Sequence, residues 1–384
     1  MRPGEPHWLA PLERPTLLLW ESRARQNIRR MSQRMAAADV ALRPHFKTHQ
    51  CVGIGEWFRD EGTTGICVSS LPMAAHFADA GWKDITVAVP FNPLAAATAV
   101  ELSRRIRLNL LCDCRSAVEP LAGSGAADPI RIWIKTDTGY GRAGIRWDDP
   151  GRIVDLALWL RDSAGVEFAG LLTHAGHSYH QSGPREVRRV WTESILRLRE
   201  AGAAVAQAMG AVCPLSAGDT PGCSLAADLS GPDELRPGNF VLYDLMQMQI
   251  GACSGDDIAA AVACPVIGLD ESRREVLLHG GAVHLSREYL GGAGSGPCFG
   301  MPAHWRGSGW EGPVTGARLT GLSQEHGVLK VDNDDFWSRL EVGRAIPVLP
   351  VHSCLAADLF PEFITTDGRR LPRRRSNDPA AGRA

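Results

Sequence analysis

Lysine is nearly absent: of the 41 basic residues in this 384-residue chain, only Lys47, Lys83, Lys135 and Lys330 are lysines. Arginine replaces lysine as a cation but not as an amine nucleophile, because a guanidinium does not deprotonate. Chemistry that needs an amine therefore has four candidates. Net charge is lacking too. Lys+Arg 41 against Asp+Glu 43 leaves a formal charge of -2, so no global field draws the chain to nucleic acid or an anionic membrane, and a small partner fits better. No apolar run reaches the ~18 residues of a membrane span. The opening MRPGEPHWLAPLERP lacks the basic-then-apolar layout of a leader, and the chain reads as cytoplasmic. Ten cysteines form no dense framework, which in a reducing compartment means buried thiols or metal ligands rather than disulfides.

What is present is a repeat. From residue 16 to about 243, short apolar segments (TLLLW at 16–20, VALRPH at 40–45, GICVS at 65–69, ITVAV at 85–89, RIRLNL at 106–111, PIRIWIK at 130–135, VEFAGLLT at 166–173, VCPLS at 212–216, NFVLY at 239–243) alternate with stretches of helical period such as 22–38 and 185–208. Eight or nine such units suit a (β/α)8 TIM-type barrel over 16–250 better than a doubly wound sheet. A Rossmann fold stays open as the alternative, although no G-x-G-x-x-G follows the first strand. After residue 250 the period shortens to strands at 260–268, 273–279, 315–322, 327–331 and 346–351, with Gly-rich turns such as GGAGSG at 291–296. This predicts a smaller C-terminal β-domain over 251–366, joined by residues 1–15. The Arg/Pro/Ala-rich stretch 367–384 reads as a disordered tail.

Lys47, in RPHFKTHQ, directly follows a predicted barrel strand, where such barrels place their active sites. His45 and His49 share its face if the strand continues; by position alone it is equally a surface lysine. SAGDTPG at 216–222 leads from a strand into a helix, a layout that serves as a phosphate nest or as an ordinary N-cap turn, and RPGN at 236–239 is a second late turn able to close on the same phosphate. His352 and Cys354 sit two apart in a predicted strand, which puts imidazole and thiol on one face: a zinc-favouring pair, or a buried Cys beside a structural His. THAGHSYH at 173–180 clusters three histidines past a strand, and a barrel hydrolase with histidine metal ligands competes as a reading.

RPHFKTHQ, KTDTGYGRAGI at 135–145, THAGHSY, SAGDTPGCS, ELRPGNFVLYD at 234–244, LSQEHG at 322–327 and PVHSC at 350–354, in this order, resemble the fold-type III pyridoxal-phosphate enzymes, in the branch of D-serine dehydratase and D-threonine aldolase. The resemblance implies that Lys47 holds pyridoxal 5'-phosphate as a Schiff base and that Arg142, supported by Lys135, faces the phenolic oxygen. It implies that Tyr179 meets the pyridine nitrogen and that Ser216, Gly218, Thr220, Gly238 and Asn239 hold the phosphate. His352 and Cys354 would bind Zn2+, with Mn2+ or Mg2+ as alternatives. Two positions depart from the family: Asp219 stands where a serine is usual, and so must point away or cap its helix, and SSLPMAAHFADAG at 69–81 lacks the usual acidic residue. The implied activity is a lyase acting on D-3-hydroxy amino acids, by dehydration to a 2-oxo acid and ammonia. Retro-aldol cleavage to glycine and an aldehyde, or racemisation with Tyr289 as second base, are the alternatives. A head-to-tail homodimer with the active site near the interface is also implied, favoured by Trp57, Trp82 and Tyr179 on barrel loops.

Overall fold

The computed structural model describes residues 12–124, 128–291 and 296–374. Its chain divides into two compact units, one taking Arg30–Lys47 and Gly55–Gly238, the other taking, of the described residues, 12–29, Thr48–Ile54 and 239–374.

The first unit is the barrel. Its parallel strands are neighbours in the order Ala41–Leu42, Glu234–Leu235, Leu215–Ala217, Val166–Leu172, Ile130–Asp137, Arg107–Cys112, Asp84–Pro90 and Gly65–Val68, and a parallel bridge between His45 and Cys67 brings the last back to the first. The strands are short apolar runs buried on both faces, as sheets covered by crossover helices require. Leu111, Trp133, Ala169 and Leu172 pack as one buried cluster. Arg43 crosses the closing seam, meeting Glu234 at 2.6 Å and Asp84 at 2.8 Å. Gly65 leaves it room: a Cβ there would lie 2.6 Å from the Arg43 guanidinium.

The second unit is a curled sheet whose strands run Gly309–Pro313, Gly300–Arg306, Ala345–Pro350, Ala260–Asp270, Thr16–Leu19, Glu362–Thr365 and Arg370–Pro372, with Glu275–His279, His326–Val331 and Ala317–Leu322 branching from Ala260–Asp270. That long strand carries a bulge between Val266 and Gly268, which lets its two halves pair with different neighbours.

Several expectations are corrected. Thr16–Leu19 is not a barrel strand; it pairs antiparallel with residues 260–263 and parallel with 364–365, and residues 239–250 group with the sheet. NFVLY forms a helical turn at Asn239–Val241, not a strand. Residues 367–374 are ordered: Arg370–Pro372 is a strand, and Arg373 is buried, its guanidinium donating to the carbonyls of His49 and Phe360 at 2.7 Å each. The rest of the expected tail, 375–384, lies outside the described residues, as do most of the 1–15 arm and 292–295 of the Gly-rich turn. Trp57 and Trp82 are core residues rather than exposed loop aromatics. None of the ten cysteines is paired in a disulfide. No helix among the described residues is long and apolar enough to cross a membrane.

Candidate active site

Parallel strands all end at the same barrel mouth, so the residues that follow them converge there. Lys47 lies in the helical turn Phe46–Thr48 just past Ala41–Leu42, exposed, its amide donating to His45 Nδ1 at 3.3 Å. The turn ends the strand, so the shared face expected for His45, Lys47 and His49 does not form. His49 is buried, and burial together with Arg373 holds its imidazole down at about 3.

Lys135, on Ile130–Asp137, is buried with Thr136 O as a hydrogen-bond partner at 3.4 Å. Burial first, then the charges of Arg236 and Arg142, lower its amine to about 7. The loop that presents Arg142 is folded around Asp137, whose carboxylate accepts from the amides of Gly139 and Tyr140 at 2.9 Å and of Gly141 at 3.0 Å. The guanidinium of Arg142 lies 5.0 Å from the Tyr140 ring centre. His174 meets the Gly218 carbonyl through Nδ1 at 2.9 Å. Burial, then the charges of Lys47, Lys135 and Arg142, outweigh that bond and hold its imidazole at about 3. It is therefore neutral, with Nδ1–H as the donor. One imidazole that feels three cations marks a positive mouth.

Leu215–Ala217 delivers the chain to Gly218, at φ 137°, where a Cβ would lie 2.5 Å from Arg236 N; only glycine fits. Asp219 caps the helix Thr220–Leu225, accepting from Gly222 N at 2.6 Å and from Ser178 Oγ at 2.7 Å. Burial raises its carboxyl to about 6. Of the two outcomes expected for this acid, it caps the helix. Thr220 N donates to the Tyr179 hydroxyl at 3.2 Å, and Gly238 N donates to Thr220 Oγ1 at 3.3 Å, so Tyr179, Thr220 and Gly238 come together. Ser216 does not offer its hydroxyl to this group. Wholly buried, it donates to Glu234 Oε1 at 2.6 Å and accepts from Arg236, whose buried guanidinium needs the partner. Cationic Lys47 and Arg142, backbone amides at two glycine turns and the Tyr179 phenol fit an anionic phosphate ester bearing an aldehyde and a phenolic oxygen.

His352 and Cys354 lie in the second unit, and not in a strand. Ala345–Pro350 ends before them, and His352 is the N-cap of the helix Ser353–Asp358. The two side chains still meet by a hydrogen bond. The Cys354 thiol donates to Thr48 Oγ1 at 3.3 Å and accepts from Asn239 Nδ2 at 3.5 Å. Asn239, expected at the phosphate, instead directs its amide here, donating also to Asp244 Oδ2 at 2.7 Å. Asp244 is buried and accepts from Ser353 N at 3.0 Å. Burial works against charge on His352, but Cys354, Asp244 and Glu288 outweigh it and raise the imidazole to about 9. His352 Nδ1 is buried with no hydrogen-bond partner. A nitrogen and a sulfur ringed by acidic groups fit a divalent ion of borderline softness.

Sequence reasoning missed His174 as a member of the site, Arg236 as the filler of the barrel end, and Thr48, Asp244 and Glu288 around the His–Cys pair. All but Glu288 stood inside quoted motifs, but no linear signal ties Thr48, Asp244 and Glu288 to His352 and Cys354.

Comparison with known proteins follows the same division. The model of the alanine racemase N-terminal domain matches residues 21–245, and that of a serine dehydratase domain matches 259–366. D-threo-3-hydroxyaspartate dehydratase of Delftia sp. (strain HT23) is 34% identical over 370 residues, 94% of this chain and 96% of its own. Its solved structure superimposes with a TM-score of 0.87 at 31% identity, covering 96% and 99% of the two chains. D-serine dehydratase of Dictyostelium discoideum is 29% identical, covering 92% and 93%. A cysteine-to-alanine mutant of D-threo-3-hydroxyaspartate dehydratase in a metal-free form gives a TM-score of 0.88 at 30% identity, covering 96% and 99%.

Proposed function

Because the chain belongs to the fold-type III pyridoxal-phosphate enzymes that join an alanine-racemase-type barrel to a serine dehydratase domain, we propose that it is a metal-dependent dehydratase of D-3-hydroxy amino acids, releasing a 2-oxo acid and ammonia. The observations that carry the reading beyond the family are the His352–Cys354 pair within its acidic surround and, in the barrel, the exposed Lys47 amine.

Lys47, Thr220, Gly238 and the amide turn at Gly218 would hold pyridoxal phosphate, which would supply an electron sink for charge left on the substrate's Cα. His352 and Cys354 would hold a Zn2+-class ion, which would supply Lewis acidity toward a β-hydroxyl. The chain's own groups do the rest. Lys47 Nζ is the amine that takes the α-proton. Arg142 sits above the Tyr140 ring and presents a fixed positive charge to an anionic oxygen. Tyr179 brings a neutral phenol rather than a cation, which favours prompt departure of a β-substituent over a long-lived carbanion. Lys135, lowered to about 7, is only partly charged near neutrality, while Arg142 carries its full charge. By the family resemblance, a cysteine rather than a carboxylate at position 354 favours dehydration over aldol cleavage.

The test offers D-serine, D-threonine and D-threo-3-hydroxyaspartate side by side. The expected products are 2-oxo acid and ammonia. Glycine with an aldehyde would make the enzyme an aldolase, and racemisation of D-alanine unaffected by chelator would make His352 and Cys354 ordinary buried residues.

A further inference from the structure

The motif LSQEHG at 322–327 has no part in the site above, yet it is built into a second cluster of chemistry-bearing side chains. His279 ends the strand Glu275–His279, His284 stands on the turn of helix Ala282–Leu285, and Glu325 lies in the loop before His326–Val331. One ligand atom from each lies within 4.8 Å of the others. We propose that His279, His284 and Glu325 form a second binding site for a divalent transition-metal ion of the Zn2+ class, using none of the residues around His352 and Cys354.

The backbone is arranged to hold this triad. Two loops, one spelled HGGAVH and the other SQEHG, are laced together: Gly280 N donates to Glu325 O at 2.9 Å, Ala282 N to Ser323 O at 2.9 Å, and Val283 N to Gln324 O at 3.2 Å. So close an approach requires glycine. A Cβ on Gly281 would lie 2.3 Å from Gln324 O, and one on Gly327 would lie 2.7 Å from Gly280 O. Three donors on two loops are thereby held near one another by main-chain contacts, which is the pre-organisation a metal site needs.

The orientations also suit a ligand. His284 Nε2 already lies 3.9 Å from Glu325 Oε2, and ligation through Nε2 places the ring proton on Nδ1 and gives up the 3.3 Å contact from Gly281 N. The rings of His279 and His284 stand edge to face with centres 5.7 Å apart. Donors around a tetrahedral zinc lie ~3.4 Å apart for metal–ligand bonds of ~2.1 Å. The exposed Glu325 side chain can rotate to bring its carboxylate from 3.9 Å to that distance from His284 Nε2. Two imidazoles and one carboxylate leave the fourth position to water, so the ion cross-links the two loops while remaining open to solvent.

Equilibrium dialysis of the metal-stripped holoenzyme against Co2+, read by visible d–d absorption and metal per chain, tests the site. His284→Ala should bind one equivalent fewer than wild type, and Glu325→Gln, at an exposed position where folding is not at risk, should weaken that equivalent at least 10-fold. Cys354→Ala should retain it. If the His352–Cys354 ion were absent, the wild type would bind one equivalent that Cys354→Ala keeps and His284→Ala loses, which supports this site while removing the other. Unchanged Co2+ binding in both His284→Ala and Glu325→Gln, or no bound Co2+ in Cys354→Ala, overturns the proposal.

Discussion

Lys135→Met, measured in cofactor-stripped protein, isolates the energetic consequence of placing an amine beneath two guanidiniums. The native amine titrates at about 7 against 10.5 in the unfolded chain, the cause being burial first and Arg236 and Arg142 next. A gap of roughly 3.5 units at about 1.4 kcal/mol per unit sets an upper bound of about 5 kcal/mol for charging it inside the fold. Local relaxation and water entry bring the expected figure to about 2–3 kcal/mol. The sign follows from proton counting. Between about 7 and 10.5 the unfolded chain holds a proton that the native state has released, so wild-type stability rises with pH across that window. Below 7 both states are protonated and the native state carries the full penalty; above 10.5 it carries none. Methionine fills the same volume without the charge. Urea unfolding of both proteins at pH 6, 8 and 10 should therefore find Lys135→Met more stable by about 2–3 kcal/mol at pH 6, with the difference shrinking toward zero by pH 10. A difference that is flat with pH, or one that grows as pH rises, would refute the assignment of a neutral amine.

Borohydride reduction of the holoenzyme followed by peptide mapping should label Lys47, and label on Lys83, Lys135 or Lys330 would overturn its role. Cys354→Ala or chelation should leave α-proton exchange of a D-amino acid largely intact while 2-oxo acid formation falls by orders of magnitude; equal loss of both would refute a metal acting on the β-hydroxyl. Asn239→Ala should weaken metal affinity about 10-fold with little change in phosphate affinity, because its amide faces Cys354 and Asp244; the reverse pattern would return it to the phosphate. Sedimentation at micromolar concentration should find a homodimer, and a fully active monomer would contradict the assembly expected from the family.

The barrel was legible because its strands are apolar runs at regular spacing, punctuated by helical periods. The error at Thr16–Leu19 has the same origin: TLLL is buried on every side chain, as a central strand of either sheet would be, and periodicity carries no information about which sheet receives it. His352 and Cys354 were recognised as a pair, but their local structure was misread, since side chains two apart meet at a helix N-cap as well as along a strand. Asp219 was legible down to its two possible roles because a carboxylate at a helix start has few options. Ser216 and Asn239 were not. Each is claimed by a buried partner, Arg236 and Asp244, whose demand for a hydrogen bond appears only once the chain has folded.

The strand Thr16–Leu19 lies between Ala260–Asp270 and Glu362–Thr365, partners some 240 and 340 residues downstream. During synthesis it leaves the ribosome before the barrel strands and meets its partners after them. The barrel strands, 41 to 235, can pair with one another as they emerge, whereas this apolar tetrapeptide must wait until residues 260–263 and then 364–365 have been made. It is therefore the segment a nascent-chain chaperone has most reason to hold, and a stop codon upstream of residue 362 leaves it without its parallel partner whatever the state of the barrel.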